Sequence, residues 1–318
     1  MNPTTVAAID LGSNTVRLLV ASAGEGGSKR LLTRQEATRL GQGLTQGGLL
    51  DAAAADRTLE VLRRFKLEIS AFGVNRVLVG ATMAVRQAGD GQGFMARVRR
   101  ELGFEAVVLT GRQEAELTAA GVMTSLRPVP RELVIFDLGG RSTEFVLYRA
   151  GRIESAFSLG LGAVSLTEGF LASDPPSPRE MRACRQAIGS IFKHGLDRVK
   201  RKLNGPALVA GTAGTVTTLA AMAQGLAVYQ RELVDNFRLT RAAAEFLFDA
   251  LAALPVDRRR DLPGLPADRA DIMVAGTAVV LEVMDFFRLN EIKVSDSGLL
   301  EGLWLVAAGL RSIKDEGK

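Results

Sequence analysis

One cysteine and one histidine stand among the 318 residues of this chain. The single cysteine, Cys184, excludes an internal disulfide and a cysteine-built zinc cluster, and it fits a reducing, cytoplasmic setting. His194 cannot furnish a histidine-rich metal centre, and a Ser-His-Asp hydrolase would have to depend on it alone. It lies in Phe192-Lys193-His194-Gly195, near an expected helix end, where a surface role is the simpler reading. No apolar run approaches the roughly 18 residues needed to cross a bilayer, so no membrane association is expected. The opening Met1-Asn2-Pro3-Thr4-Thr5 lacks the charged stretch and apolar core of a secretion signal. Aromatic residues make up only 5% of the chain. With no dense basic stripe on any helix, they are too few for stacking platforms, and nucleic acid is not expected as a partner.

What is present points elsewhere. A hydrophobic fraction of 47% supports packed cores, and the length suits about two domains. The net charge of +5 suits a polyanionic partner, or is ordinary surface charge. Asp10-Leu11-Gly12-Ser13-Asn14-Thr15 follows the apolar run Val6–Ile9. Asp137-Leu138-Gly139-Gly140-Arg141-Ser142-Thr143 follows Leu133–Phe136, 127 residues later. Both read as a buried strand with an aspartate at its end, a tight glycine turn, hydroxyl residues and a second strand. Such a turn directs backbone N–H groups outward beside a carboxylate. Two copies suggest related lobes facing each other across a phosphate.

The pattern predicts α/β lobes. In the first, strands lead into a third over Lys29–Ala37, with Gly24-Glu25-Gly26-Gly27 as a turn. A helix capped by Asp51 runs to about Phe72, with Leu62, Phe65, Ile69 and Phe72 on one face. A strand over Val74–Ala81, a helix over Gly93–Leu102, a strand over Ala106–Leu109 and a helix over Gln113–Ser125 follow. Leu126-Arg127-Pro128-Val129-Pro130 reads as a hinge. The expected lobes are therefore 1–125 and 126–318, with a closing helix at 298–314 that could pack back on the first. In the second lobe, strands are expected at 132–138, 142–149, 152–158, 207–210 and 293–295. Helices are expected from Arg179 and near 268–288.

Gly12 lets the backbone approach an anion closely, and Ser13 and Asn14 add donors. Asp10 cannot hydrogen-bond phosphate while ionised; its natural role is to hold Mg²⁺ through water, although an Asx-turn would also explain it. Asp137 and Glu144 could share a cation, or Glu144 could be an exposed strand residue. Gly211-Thr212-Ala213-Gly214-Thr215 is a glycine-rich strand-to-helix turn suited to an anion; close helix–strand packing is the other reading. It lacks the P-loop lysine. Arg86 ends the Ala81–Arg86 stretch beyond a strand. Glu114 lies at a helix start, where it could activate water or simply complement the helix dipole.

Taken in order, Asp10–Leu19, Thr82–Arg86, Thr110–Ala115, Asp137–Glu144, Ser158–Val164, Gly211–Thr215 and Ser295–Leu303 resemble the exopolyphosphatase / guanosine pentaphosphate phosphohydrolase family, across about residues 5–306. The resemblance implies the duplicated, two-lobed actin-like ATPase (ribonuclease H-like) fold with the active site in an interlobe cleft. It implies Mg²⁺-dependent release of a terminal phosphate from inorganic polyphosphate, or of the 5′ γ-phosphate from guanosine pentaphosphate, with guanosine tetraphosphate as a related ligand. A homodimer is implied as well. Glu114 falls on the family's water-activating carboxylate; Asp137 and Glu144 fall on its cation-holding acids. Gly12, Ser13, Asn14, Arg86, Gly139, Gly140, Ser142 and Thr143 fall on its phosphate contacts. Gly211, Thr212 and Gly214 belong to the turn that holds nucleotide in related members. Arg141 stands where a third glycine is usual and could reach a phosphate or narrow the cleft. Leu300 and Ser165 stand where arginines are common. The length is that of the family's short, two-lobe form.

The expected chemistry is anhydride hydrolysis, in which positioning and charge neutralisation dominate. An ordinary glutamate near pKa 4.3 is a weak base, so desolvation or neighbouring acids are expected to raise Glu114. Two other readings stand beside hydrolysis: a non-catalytic sensor of guanosine tetra- or pentaphosphate or polyphosphate, and a small-molecule kinase of the same superfold.

Overall fold

The computed structural model describes residues 4–24, 27–45, 47–203 and 208–313. They form two compact units: Met1–Thr124 with Gly298–Lys318, and Ser125–Ser297.

The first unit runs β1 (Thr4–Leu11), β2 (Thr15–Gly24), β3 (Gly27–Ala37), α1 (Ala52–Ser70), β4 (Arg76–Ala81), α2 (Met83–Gln87), α3 (Gly91–Leu102), β5 (Glu105–Val108) and α4 (Gly111–Ser125). Its sheet has the order β3-β2-β1-β4-β5. The β1/β2 and β2/β3 pairs are antiparallel; β1/β4 and β4/β5 are parallel. Successive strand residues face opposite sides, so β1 serves two cores. Ala7, Ile9 and Leu11 pack with Leu59, Leu62 and Phe65 of α1 and Val98 of α3.

The second unit continues with β6 (Glu132–Leu138), β7 (Thr143–Arg149), β8 (Arg152–Leu159), α5 (Ala163–Phe170), α6 (Pro178–Gly195), α7 (Asp197–Lys202), β9 (Leu208–Thr212) and α8 (Ala213–Ala223). Then come α9 (Arg231–Val234), β10 (Arg238–Thr240), α10 (Arg241–Ala252), α11 (Val256–Arg259), a 3-10 turn (Ala267–Arg269), α12 (Met273–Phe287) and β11 (Glu291–Val294). The sheet order is β10-β11-β9-β6-β7-β8. Again two antiparallel pairs, β6/β7 and β7/β8, adjoin two parallel ones, β6/β9 and β9/β11. Phe136, Leu138 and Phe145 pack with Ile188, Phe192 and Leu219 in its core.

The two sheets therefore share one strand order and one set of strand senses, and β10 is an added edge. This is the duplicated actin-like ATPase, ribonuclease H-like, α/β fold. The chain returns to the first unit with α13 (Leu299–Ala307). Leu299, Leu300, Leu303 and Trp304 of α13 cover the other side of the first sheet, against Val6, Ala8, Leu19 and Ala21. Leu300 is wholly buried there, which accounts for an apolar residue at that position. The helix is shorter than the sequence suggests. It ends before Gly309, whose left-handed φ of 72° breaks the helical path.

Local chemistry explains most element boundaries. Asp51 accepts from the Ala54 N–H at 2.8 Å and starts α1. Ser177 and Glu180 form a capping box at the start of α6. Hydrogen bonds from Ser173 and Ser177 hold the Glu180 carboxyl down at about 2. His194 is exposed in the last turn of α6, with Nδ1 2.7 Å from the Ser190 carbonyl. The sequence pattern gives no warning of the short helix α2, of α5, or of α10. At the expected hinge, the Asn236 amide grips the chain. It donates to the Ser125 carbonyl at 3.1 Å and accepts from the Arg127 N–H at 2.9 Å. Glu25 and Gly26 of the expected glycine turn, Ala207 of the expected strand and Lys314 of the expected closing helix lie outside the described residues. Among the described residues, no helix is long and apolar enough to cross a membrane.

Two predictions follow from this packing. A Cβ on Gly121 of α4 would stand 1.8 Å from the Gly298 carbonyl oxygen. Gly121→Ala is expected to cost about 1–3 kcal/mol, the scale of overpacking, read as a lower midpoint in calorimetric unfolding. Burial pushes the Cys184 thiol up to about 11, so at pH 8 it stays protonated and poorly nucleophilic. Iodoacetamide is expected to label it only after denaturation, as mass spectrometry would show.

Candidate active site

In the first unit, the Gly12 N–H bonds to the Thr15 carbonyl at 3.1 Å and closes the turn between β1 and β2. A Cβ on Gly12 would stand 2.9 Å from that same carbonyl oxygen, so the closure requires glycine. The following segment locks the turn from its carbonyl side. Gly41 N–H donates to the Ser13 carbonyl at 2.8 Å, and Thr38 and Arg39 N–H groups donate to the Asn14 carbonyl at 3.0 and 2.9 Å. Arg39 adopts the left-handed φ of 53° to do so, and Arg57 chelates the Thr38 carbonyl at 3.1 and 2.8 Å.

The second unit repeats this closure. Gly139 N–H bonds to the Ser142 carbonyl at 3.0 Å, and a Cβ on Gly139 would stand 3.0 Å from that oxygen. The start of α5 supplies the lock: Ala163 N–H donates to Gly139, and Val164 and Ser165 N–H groups donate to Gly140. Thr143 Oγ1 donates to the Leu161 carbonyl at 2.8 Å. The carbonyls of Ser13, Asn14 and Thr15 in the first turn, and of Gly139, Gly140 and Ser142 in the second, are consumed internally. The N–H groups of Ser13, Asn14, Gly140 and Ser142 find no acceptor among the described residues. Amides left in that state are donors for an anion.

The acids occupy corresponding strand ends. Asp10 is half-buried, paired in register with Arg17 on β2 and Gly80 on β4. Asp137 is paired with Glu144 on β7 and Thr212 on β9. Glu144 is buried, and Ser158 Oγ donates to its Oε1 at 2.6 Å. It is therefore not an exposed strand residue. Asp137 and Glu144 present hard oxygen donors on facing strand positions, which suits Mg²⁺. Among the described residues, no group of three His, Cys, Asp or Glu side chains could hold a metal ion. A Mg²⁺ ion there would take its remaining ligands from water and phosphate, its usual habit. Asp10 belongs to the first unit, Asp137 and Glu144 to the second.

Glu114 and Arg86 come together within the first unit. Thr110 and Gln113 cap α4 reciprocally, Thr110 N–H to Gln113 Oε1 at 2.9 Å and Gln113 N–H to Thr110 Oγ1 at 3.2 Å. This places Glu114 on the first, buried turn. Arg86 is carried by α2. Its Nη1 donates to Glu114 Oε2 at 2.9 Å and to the Leu109 carbonyl at 2.6 Å. The carboxylate is thus fixed in direction by a cation that is itself anchored.

The Gly211–Thr215 stretch contains no loop. The strand β9 ends at Thr212 and α8 begins at Ala213, whose φ of 72° makes the corner. Thr212 Oγ1 donates to the Ser297 carbonyl at 3.0 Å. A Cβ on Gly211 would stand 2.5 Å from the Phe136 ring, so packing explains that glycine. Gly214 has a different reason. A Cβ there would stand 1.3 Å from Nη1 of Arg269, a buried guanidinium seated on the first turn of α8. Arg269 was not legible as a site residue; its only mark is an arginine between Asp268 and Asp271 ahead of an apolar helix. Ser158 lies within one of the ordered motifs, but no local pattern marks its contact with Glu144. Ser165 caps α5, with its Oγ accepting from the Gly162 N–H at 3.0 Å. Arg141 is engaged by Glu168 of α5 at 3.1 Å.

These features agree with the wider comparisons. A model of the Ppx/GppA phosphatase family matches residues 19–309. The chain belongs to that family. Exopolyphosphatase 2 of Mycobacterium tuberculosis is 32% identical over 319 residues, covering 96% of this chain and 99% of the relative. A putative exopolyphosphatase of Haemophilus influenzae is 29% identical, covering 94% and 90%. Among solved structures, the Aquifex aeolicus PPX-GPPA enzyme matches with a TM-score of 0.80 at 32% identity, covering 96% of this chain and 99% of its own. An exopolyphosphatase from Cytophaga hutchinsonii matches with a TM-score of 0.86 at 26% identity, covering 97% and 99%. Family membership makes the chain a hydrolase of the phosphatase type.

The Arg86–Glu114 pair generates a stability prediction independent of turnover. Arg86→Ala leaves a buried carboxylate without its cation and is expected to cost about 1–3 kcal/mol. Adding Glu114→Gln is expected to recover part of that loss, measured by denaturant unfolding as a double-mutant cycle.

Proposed function

We propose that this protein is a Mg²⁺-dependent phosphoanhydride hydrolase that releases the terminal phosphate of inorganic polyphosphate or the 5′ γ-phosphate of guanosine pentaphosphate. The observation that carries the reading is the pair of matching turns with outward amide donors, together with a buried glutamate oriented by an arginine. The names of the relatives support polyphosphate as the substrate class.

In this reading the N–H groups of Ser13, Asn14, Gly140 and Ser142, with the Arg141 guanidinium, bind phosphate oxygens. Gly12 and Gly139 spend their own N–H groups closing the turns, and Thr143 is buried with its hydroxyl on the Leu161 carbonyl, so these three shape the site and do not bind phosphate. Gly214, with the Arg269 guanidinium seated against it, forms a further anion-binding corner, whereas Gly211 packs on Phe136 and Thr212 is held by Ser297, so these two position the corner and do not bind the anion. Asp137 and Glu144 would hold Mg²⁺, which would offset charge on the phosphate oxygens, and Asp10 is the corresponding strand-end carboxylate of the first unit. Ser158 keeps the Glu144 carboxylate turned in one direction. Glu114 orients a water in line with the terminal phosphorus and accepts its proton as the new P–O bond forms. The bridging P–O bond breaks, and the shortened chain leaves with the electron pair. Arg86, whose guanidinium is engaged by Glu114, the Leu109 carbonyl and Met83 Sδ, fixes Glu114 and adds positive charge to the site.

The test is phosphate release from tripolyphosphate, long-chain polyphosphate and guanosine pentaphosphate, each with Mg²⁺ and with excess EDTA. Release is expected with Mg²⁺ alone, without any acceptor molecule. Glu114→Gln is expected to retain binding and lose at least about a hundredfold in turnover, the scale of general-base loss. Near-normal turnover by that variant removes Glu114 from the role. Binding without turnover by the wild type would replace hydrolysis with sensing, and strict dependence on an acceptor would make the protein a kinase.

A further inference from the structure

The two turns are alike in backbone and unlike in charge. Aligned by their closing hydrogen bonds, Gly12 to Thr15 and Gly139 to Ser142, the third turn position is neutral Asn14 in one unit and cationic Arg141 in the other. No room exists for the second turn to adjust. A Cβ on Gly162 would stand 2.5 Å from the Arg141 nitrogen and from the Gly140 carbonyl carbon. The N–H groups of Val164 and Ser165, at the start of α5, hold the Gly140 carbonyl at 2.7 and 3.1 Å. The same helix carries Glu168, whose Oε2 lies 3.1 Å from Arg141 Nη1. One short helix thus clamps the turn and neutralises the charge that this turn alone carries.

We infer that Glu168 is a displaceable counter-carboxylate that sets the affinity of Arg141 for the substrate's phosphates. This rests on the reading of the second turn as a phosphate site. The exposures support it: the Arg141 side chain is 13% exposed and that of Glu168 is 37% exposed. A pair with one partner so open to water contributes little to stability. A phosphate offers Arg141 more charge and bidentate geometry, so it displaces the carboxylate. Singly charged anions do not repay the exchange as well. The pair therefore favours highly charged anhydride chains over weakly charged competitors.

The experiment is a double-mutant cycle on the full chain, reading KM and kcat for tripolyphosphate at low ionic strength. Arg141→Ala is expected to raise KM about tenfold, the scale of a charge-assisted contact, with kcat changed less than about threefold. Glu168→Gln is expected to lower KM about threefold and to let chloride or nitrate inhibit more strongly, since the competing charge is gone. In the Arg141→Ala background, Glu168→Gln is expected to leave KM unchanged. Unfolding midpoints of all variants are read alongside, because a merely structural staple would move these and not KM. The inference is overturned if Arg141→Ala leaves KM unaltered, if Glu168→Gln raises KM, or if its effect persists at full size without Arg141. Absence of phosphate release by the wild type would instead overturn the proposed function, so the two failures are distinct.

Discussion

A glycine N–H folded back onto a carbonyl three residues later is the constraint on which both halves of this molecule depend. At Gly12 and again at Gly139, that bond turns the chain between two antiparallel strands while the next segment captures the turn's carbonyls. Backbone polarity is thereby sorted: most of the turn carbonyls are held by protein, while the amides of Ser13, Asn14, Gly140 and Ser142 are left without an acceptor among the described residues. A side chain at either glycine would press on the oxygen that closes the loop, so a single methyl group would disturb the whole arrangement. The sheets supply the foundation, because each turn leaves a strand that is paired on both edges.

The acidic residues inherit their places from strand register rather than from any special motif. Asp137 faces Glu144 because β6 and β7 pair antiparallel through that turn. Ser158 reaches Glu144 because β8 continues the same register. In the first unit, Asp10 faces Arg17 instead. The duplicated backbone has thus been given opposite electrostatics at equivalent points, carboxylate beside carboxylate in one half and carboxylate beside guanidinium in the other.

Much of this was legible from residue order alone. Strand-aspartate-glycine-hydroxyl patterns announce their geometry, since few other sequences satisfy it, and the apolar alternation located most strands and the helix from Asp51. The short helix α2, which carries Arg86, was hidden because five residues contain too little periodicity to read. The Gly211–Thr215 stretch reads correctly as a strand-to-helix turn, but its glycines do not mark the corner, which is made by Ala213, an unlikely residue for a left-handed conformation. Arg269, Ser158 and Glu168 act through contacts between elements distant in sequence, and no local pattern marks them. The cation that orients Glu114 was named, but as a phosphate ligand; its contact with Glu114 appears only when α2 and α4 are seen side by side.

The return of α13 to the first sheet has a consequence for biosynthesis. The second unit is one unbroken stretch, whereas the first draws its final layer from residues beyond Ser297. Of the cluster that contains Val6, Ala8, Leu19 and Ala21, only Leu109 and Leu117 from beyond the sheet are made early; Leu299, Leu303 and Trp304 join after the whole second unit has been synthesised. The half of the molecule that is made first therefore completes its packing last, since the layer that closes its sheet is encoded after the other half.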